Sequence, residues 1–193
     1  MDRPRILILI LACAAAGCTG GSSNEPVTRL IAYARYFPGE CANEVWTAHL
    51  DGSGAHRLVR GVAPSVSPDG RWVAFLRCSD YDYGCDLYAI ETRGGGPRLL
   101  ARRTDTLVWF PNSDRVVAGQ GISTLTFTEA LLSIDVESGR WVELARGVLR
   151  GWSISPSGEE VVYARAAAPS AWGTTGRRST SMWSMRKVVS HGV

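Results

Sequence analysis

The side chains that could perform chemistry are few, and their spacing matches no catalytic arrangement. The segment from Gly151 to Ser155 fails as a Gly-x-Ser-x-Gly hydrolase turn, because Ser155 stands where the last glycine is required. The histidines His49, His56 and His191 have no metal-site spacing, and none lies beside a matched Cys or Asp motif. We therefore predict no catalytic residue, no metal site and no cofactor, and we expect that the protein is not an enzyme.

One segment, Asp80 to Asp86, places three carboxylates within seven residues. Calcium-binding loops alternate oxygen ligands along a tight turn in a similar way. This segment lacks the acidic residue at the fifth position and the distal glutamate, so we expect solvated carboxylates instead of bound calcium. Its two tyrosines, Tyr81 and Tyr83, form a candidate partner-binding loop, because aromatic side chains dominate interface hot spots.

The elements that must position these residues repeat four times along the chain. Each copy is marked by a proline, and Pro26, Pro68, Pro111 and Pro156 are separated by 42, 43 and 45 residues. A period of about 40–50 residues made of short strands is typical of a propeller blade, which cannot bury its apolar faces alone. We assign the copies to residues 26–62, 63–104, 105–147 and 148–165 onward.

The second copy shows the expected order of strands within a blade. The innermost strand is Ala63 to Val66 and the next is Trp72 to Leu76, with a Ser-Pro-Asp-Gly turn between them. Asp86 to Ile90 forms the third strand and Arg98 to Leu100 the outermost one. The tryptophans near predicted strands are expected in blade packing, with a carbohydrate-stacking surface as the alternative: Trp46, Trp72, Trp109, Trp141 and Trp152.

A long polar side chain follows each repeat proline by nine residues. These residues are Arg35, Arg77, Gln120 and Arg165. The three arginines would lie near the end of the same strand in successive blades. We expect a structural role, such as ion pairs with loop carboxylates, and the alternative is a cationic rim.

The motif Ser67-Pro68-Asp69-Gly70-Arg71 is followed by a hydrophobic strand, by the Asp-Leu-Tyr strand at Asp86, by a Gly-rich turn and by Arg98-Leu99. This order resembles the TolB-type propeller repeat, from about Pro26 to Arg165. The resemblance implies an all-β fold, namely a β-propeller that usually has six blades. It also implies one of two settings: a scaffold that binds other proteins, as in periplasmic TolB, or the non-catalytic domain of a prolyl oligopeptidase-like enzyme.

The chain departs from this family in its number of blades. We predict a partial propeller of about four blades with an incomplete last blade, in which Met182 to Met185 could be the third strand. No acidic residue follows Glu160, so we expect residues 166–193 to form an atypical basic tail from a truncated or out-of-frame blade. The alternatives are a genuine four-bladed ring and a half-ring that a partner completes.

The first residues have the pattern of an export signal. Arg3 and Arg5 precede an apolar run that is too short to span a bilayer but fits a secretory signal. Small residues before Cys18 resemble the lipobox of bacterial lipoproteins. We predict a signal peptide at residues 1–17, lipidation of Cys18 and a flexible tether at residues 18–25, with cleavage after Ala16 to give a soluble secreted protein as the alternative.

Export would place the remaining cysteines in an oxidising compartment, where disulfides form. Cys78 and Cys85 share one loop and are the first candidate disulfide. Cys41 occupies the matching loop one repeat earlier, so a bridge from Cys41 to Cys85 is the alternative, and free thiols are a third. None of the three has the Cys-x-x-Cys spacing of a zinc or redox site.

Composition and charge limit the class of partner. The 193 residues are 45% hydrophobic and 20% charged, as in a globular protein, and a net charge of +3 without a basic stripe argues against nucleic acid. We predict a non-catalytic lipoprotein, anchored to a bacterial cell membrane and facing the periplasm or cell exterior, that binds a protein partner or an envelope component. The alternatives are a propeller fragment of a prolyl oligopeptidase-like enzyme and a non-functional truncated gene product.

Overall fold

The computed structural model describes residues 29–36, 43–78, 84–123, 128–165 and 184–189. These residues form twelve β-strands, paired antiparallel, and no helix, which confirms the all-β class predicted from the sequence. Within these ranges, accordingly, no helix is long and apolar enough to cross a membrane.

The strands follow one another with short connections. They are β1 (Leu30–Arg35), β2 (Glu44–His49), β3 (His56–Arg60), β4 (Val62–Val66), β5 (Trp72–Cys78), β6 (Cys85–Glu91), β7 (Arg98–Trp109), β8 (Arg115–Ser123), β9 (Thr128–Asp135), β10 (Trp141–Ile154), β11 (Glu160–Arg165) and β12 (Ser184–Val189). The expected strands of the second repeat all form, but the outermost one continues well past Leu100.

Each strand pairs with its neighbour in chain order. β1 to β3 form a three-stranded sheet, and β4 to β12 form one continuous nine-stranded ladder. The long strands β7 and β10 connect blades: β7 breaks register with β8 between Thr104 and Thr106, and β10 breaks register with β11 between Val148 and Trp152. Each of them begins as the outermost strand of one blade and ends as the innermost strand of the next.

The described residues therefore form a partial propeller of four blades. The first blade is β1 to β3, and the second is β4 to β6 with the start of β7. The third is the end of β7, then β8, β9 and the start of β10, and the fourth is the end of β10 with β11 and β12. β12 lies in the segment predicted to be an atypical tail, and it begins two residues after Met182, where the sequence predicted the third strand of this blade.

The Ser-Pro-Asp-Gly turn of the second blade is held by its own side chains. The Oγ of Ser67 donates to Asp69 Oδ1 at 2.5 Å and accepts from the main-chain N–H of Trp72 at 2.9 Å. Gly70 has a φ of +74°, which glycine adopts without a steric penalty. Ser113 adopts φ +68° at the matching place in the third blade, and its Oγ accepts from the Asp69 N–H at 2.9 Å. This bond ties two neighbouring turns together.

Apolar side chains fill the three spaces between successive blades. Successive side chains of β5 point to opposite faces of the blade. Phe75 packs against the first blade, while Ala74 and Leu76 pack against the third. The buried members between the third and fourth blades are Phe110, Val117, Leu131, Ala145, Val148, Val161 and Tyr163. β5 is thus buried on both faces, which explains why Trp72–Leu76 is a continuous apolar run in the sequence.

We predict that Phe75→Ala lowers the free energy of unfolding by about 3–5 kcal/mol, because it leaves a cavity between two blades. Phe75 is fully buried, and its ring stacks on that of Tyr88 with centroids 5.7 Å apart. Urea denaturation followed by tryptophan fluorescence measures the change. Val162→Ala, at a side chain that is 39% exposed, is the control and should change stability by less than about 0.5 kcal/mol. Equal losses in the two variants would contradict this packing.

Candidate functional site at the cysteine end of the blades

Charged side chains are distributed unequally between the two ends of the blades. We call one end the cysteine end, because β5 ends there at Cys78 and β6 begins there at Cys85; the Ser-Pro-Asp-Gly turns lie at the other, the turn end. The arginines described at the cysteine end are Arg35, Arg60, Arg77, Arg102, Arg103, Arg146, Arg150 and Arg165, and the carboxylates there are Glu44, Asp86, Asp105 and Glu129. The described part of this end is therefore cationic.

The polar residue nine positions after the repeat proline makes the same bond in three blades. Arg77 Nε donates to the carbonyl of Arg60 at 3.2 Å, and Gln120 Nε2 donates to the carbonyl of Arg102 at 2.9 Å. Arg165 Nε donates to the carbonyl of Arg146 at 2.8 Å. Each acceptor belongs to the crossing that leads from one blade into the next. The sequence predicted a structural role for these side chains, such as ion pairs with loop carboxylates. In the structure, these three side chains donate to main-chain carbonyls instead.

Each crossing also contains at least one residue in the left-handed backbone region. Ala63, Arg103 and Gly147 have φ values of 48°, 56° and 70°, and Gly151, in the same crossing as Gly147, has a φ of 110°. A left-handed conformation in a residue other than glycine costs of order 1–3 kcal/mol, so surrounding contacts must hold it. The hydrogen bond to the neighbouring carbonyl is one such contact. At Arg77, the guanidinium also lies 4.7 Å from the ring centre of Tyr88.

A buried carboxylate connects the third and fourth blades at this end. Glu129 is only 2% exposed, and its Oε2 accepts a hydrogen bond from Thr106 Oγ1 at 3.3 Å. Arg150 of the fourth blade places Nε 3.3 Å from Glu129 Oε1 and donates from its terminal nitrogen to Asp105 at 2.7 Å. A buried carboxylate requires a cation or several donors to offset lost hydration. Arg150 provides the cation and joins two blades.

Two cavities open between the second and third blades. The first, of about 270 Å³, lies at the cysteine end and is lined by Arg103, Gln120, Gly121, Ala130 and Arg146. The second, of about 330 Å³, lies toward the outer strands and is lined by Leu99, Leu100, Ala101, Arg102, Gln120, Leu132, Gly139 and Trp141. Gln120 lines both. Together they have a cationic part and an apolar part.

Arg146, in the first cavity, is paired with Glu143. The two residues form a bidentate contact, with Arg146 Nε donating to Oε1 at 2.9 Å. Hydrogen bonds from the guanidinium lower the pKa of Glu143 below its ordinary value, and the same contact raises the pKa of Arg146. Because the pKa of Glu143 is lowered on folding, this pair favours the folded state above the ordinary pKa of a glutamate. Its contribution is lost as the pH falls through the lowered value.

The structure describes only some of the site residues predicted from the sequence. The Sγ atoms of Cys78 and Cys85 are bonded to each other, which is the first of the pairings considered, and the two residues are direct partners in the ladder. Cys18, Cys41, Tyr81 and Tyr83 lie outside the described residues, as do Asp80 and Asp82 of the acidic segment. Their predicted roles remain predictions.

The remaining candidates are engaged locally. His56 contacts Thr47 Oγ1 through Nε2 at 3.2 Å and the Gly54 carbonyl through Nδ1 at 3.0 Å. In the ranges that the structure describes, no three His, Cys, Asp or Glu side chains are placed to hold a metal ion. Ser153, from the failed hydrolase motif, makes a weak contact of 3.4 Å with the Ile154 carbonyl.

One packing prediction was wrong. Trp141 was expected in the space between blades, but it is 59% exposed. It begins β10 where this strand is the outermost one of its blade, so no further strand covers it. Trp72 and Trp109 are buried as expected, and Trp46 and Trp152 are half-buried.

Several residues of the cysteine end were missed by sequence reasoning, namely Asp105, Glu129, Arg146, Arg150 and Arg103. One signal for part of the set was present. Arg60, Arg102 and Arg146 precede the repeat prolines by eight, nine and ten residues, so they follow the period almost as well as the prolines do. Glu129 has no such counterpart in the other repeats, and its side chain is held by residues from two other strands, β7 and β10.

No family profile matches this chain, and no curated protein matches it either. Solved structures do match. The propeller domain of the Trilobed protease from Pyrococcus furiosus, described as having an open velcro topology, superposes with a TM-score of 0.61 at 14% identity over 84% of this chain. TolB from Acinetobacter baumannii superposes with a TM-score of 0.52 at 18% identity over 72% of this chain.

Acylaminoacyl peptidase from Pyrococcus horikoshii also superposes, with a TM-score of 0.56 at 13% identity over 84% of this chain. The aligned part covers 54% of the Trilobed protease domain, 35% of TolB and 29% of the peptidase, so this chain spans at most about half of each. At these identities the likeness shows the fold alone. It confirms the TolB-like propeller fold that the repeat motif predicted.

We predict that Gly119→Ala destabilises the protein by about 1–3 kcal/mol, because the added methyl overpacks the buried carboxylate. A Cβ at this position would overlap Glu129 Oε2 and Thr106 Oγ1 and would lie 3.0 Å from Glu129 Cδ. The midpoint of urea denaturation measures the loss.

Gly121→Ala, two residues further along the same strand, is the matched control. The nearest atom to a Cβ there is Asp105 Oδ2 at 3.8 Å, an ordinary contact. We expect this variant to unfold within about 0.5 kcal/mol of the wild type. If both alanines were tolerated equally, Glu129 would not occupy the position described.

Proposed function

We propose that this protein is an exported, lipid-anchored propeller that binds a protein partner or a component of the cell envelope without catalysing a reaction. The observation that carries the proposal is the cationic cysteine end, where three blades hold a long polar side chain by the same hydrogen bond. A repeated bond of this kind makes a rigid platform. Rigid, charged surfaces favour recognition because little conformational entropy is lost on binding.

Export and anchoring rest on the first residues of the sequence and on the cysteines. The apolar run before Cys18 supports a signal peptide of residues 1–17 with lipidation of Cys18. The disulfide between Cys78 and Cys85 is in keeping with an oxidising compartment. The proposed location is a bacterial cell membrane, with the propeller facing the periplasm or the cell exterior.

A second candidate function has support from the comparisons. Acylaminoacyl peptidase and a prolyl endopeptidase contain a part that superposes on 84% and 75% of this chain. This chain could therefore be the propeller part of a prolyl oligopeptidase-like enzyme. The sequence of the adjoining DNA separates the two candidates, since a Gly-x-Ser-x-Gly segment encoded downstream would favour the enzyme.

We predict that Cys18→Ala abolishes membrane attachment, because this cysteine would carry the acyl chains. Fractionation of cells and labelling with radioactive palmitate measure attachment and lipidation of the full chain. Cys13→Ala is the matched control, since Cys13 would be removed with the signal peptide, and it should leave both unchanged. Palmitate in the Cys18→Ala protein, or none in the wild type, would contradict the anchor.

We predict that Arg60→Glu reduces partner capture about tenfold, because it reverses a charge on the cationic end. Arg60 is exposed, and among the described residues its side chain has no ion pair. The full chain is cross-linked in envelope extracts, and the captured species are compared between variants.

Arg93→Glu provides the control for this experiment. Arg93 is also exposed but lies at the turn end, between β6 and β7. We expect capture by this variant to equal that of the wild type. A species that the wild type, Arg60→Glu and Arg93→Glu all capture equally would be bound non-specifically. If every captured species behaved in this way, the cysteine end would not be the binding surface.

A further inference from the structure

The two cavities between the second and third blades adjoin at Gln120, and we call them together the interblade groove. Their volumes, about 270 and 330 Å³, are together in the range of small-ligand sites. The groove continues the buried apolar space between these blades outward to the cysteine end.

The cationic part of the groove is built by the strand register. Gln120 is the direct partner of Ala130, and Ala130 is the direct partner of Arg146, so these three side chains lie side by side on one face of the third blade. The short side chain of Ala130 leaves space between two long ones. Arg103, on the crossing between the second and third blades, lines the same cavity.

The two arginines of the groove differ in how their charges are balanced. Arg146 is paired with Glu143, as described above. Arg103 is exposed, and within the described part of the chain its guanidinium forms no ion pair, although its main-chain N–H donates to Asp86 Oδ1 at 3.2 Å. The crossing fixes its backbone at φ +56°. A guanidinium group that no carboxylate balances favours the binding of an anion.

The apolar part of the groove is partly exposed to water. Trp141 is 59% exposed and Leu99 is 38% exposed, although both line a cavity whose floor includes the buried Leu100 and Leu132. Exposed aromatic and aliphatic side chains beside a cavity are typical of binding sites.

We infer that the interblade groove binds a carboxylate carried on an apolar peptide segment of the protein partner. Arg103 would pair with the carboxylate, for which a guanidinium group has matching geometry, and Trp141 and Leu99 would cover the adjacent apolar side chain. The inference rests on the proposed function, because it assigns the ligand chemistry of the cysteine end.

The test uses the full chain and three small probes, titrated by calorimetry or by NMR. N-acetylleucine carries both a carboxylate and an apolar side chain. N-acetylleucine amide lacks the charge, and acetate lacks the apolar part. We expect N-acetylleucine to bind at least about tenfold more tightly than either of the others, because both parts of the groove are used.

Variants assign the binding to the groove. Arg103→Gln should weaken N-acetylleucine about tenfold while leaving the weak binding of the amide unchanged, since it removes only the charge. Trp141→Ala should weaken both. Arg93→Gln at the turn end and Val142→Ala, whose exposed side chain does not line the groove, should leave all affinities unchanged. The urea midpoint of each variant checks that it folds.

Equal affinities for N-acetylleucine and its amide would overturn the inference, as would full binding by Arg103→Gln. Failure here can be distinguished from failure of the proposed function. If Arg60→Glu abolishes partner capture while N-acetylleucine does not bind, the proposed function holds and the groove is not the contact. If N-acetylleucine binds as expected while Arg60→Glu leaves capture unchanged, the groove stands and the wider cationic surface does not.

Discussion

The whole propeller depends on the crossing at which the outermost strand of one blade becomes the innermost strand of the next. At each crossing the ladder breaks register and at least one residue adopts a left-handed conformation. Arg77, Gln120 and Arg165 stabilise these crossings by donating to a nearby carbonyl. The angle between blades, and therefore the packing of the three apolar spaces, follows from this geometry.

The same constraint accounts for two of the cations at the cysteine end. Arg77 and Arg165 are donors at crossings, and the described crossings lie at this end. A side chain that bonds a neutral carbonyl keeps its charge, and this charge remains available to a ligand. Residues that the fold requires thus also create the proposed binding surface. Arg150 has a different structural role, because its charge balances the buried carboxylate of Glu129 and its ion pairs join two blades.

The sequence predicted the positions of strands more successfully than the contacts and burial of individual side chains. The repeat proline and the apolar runs located β4, β5 and β6 within one or two residues, because turn chemistry and strand propensity are local. The continuation of β7 through the crossing was missed, since nothing local distinguishes a strand that changes blade from one that ends. Trp141 was misplaced for a related reason: its burial depends on whether another strand lies outside it. Glu129 was missed because its partners come from β7 and β10.

The sequence by itself determined the four-fold repeat, the order of strands within a blade and the position of a recurrent donor nine residues after each proline. These features depend on residue types and spacing within one repeat. Only the tertiary structure decided which carbonyl this donor bonds, which tryptophans are buried and which charged side chains of different blades form ion pairs. The physical reason is that a blade cannot bury its apolar faces alone. Each of these contacts joins residues from different strands or blades, and it exists only once the blades have packed.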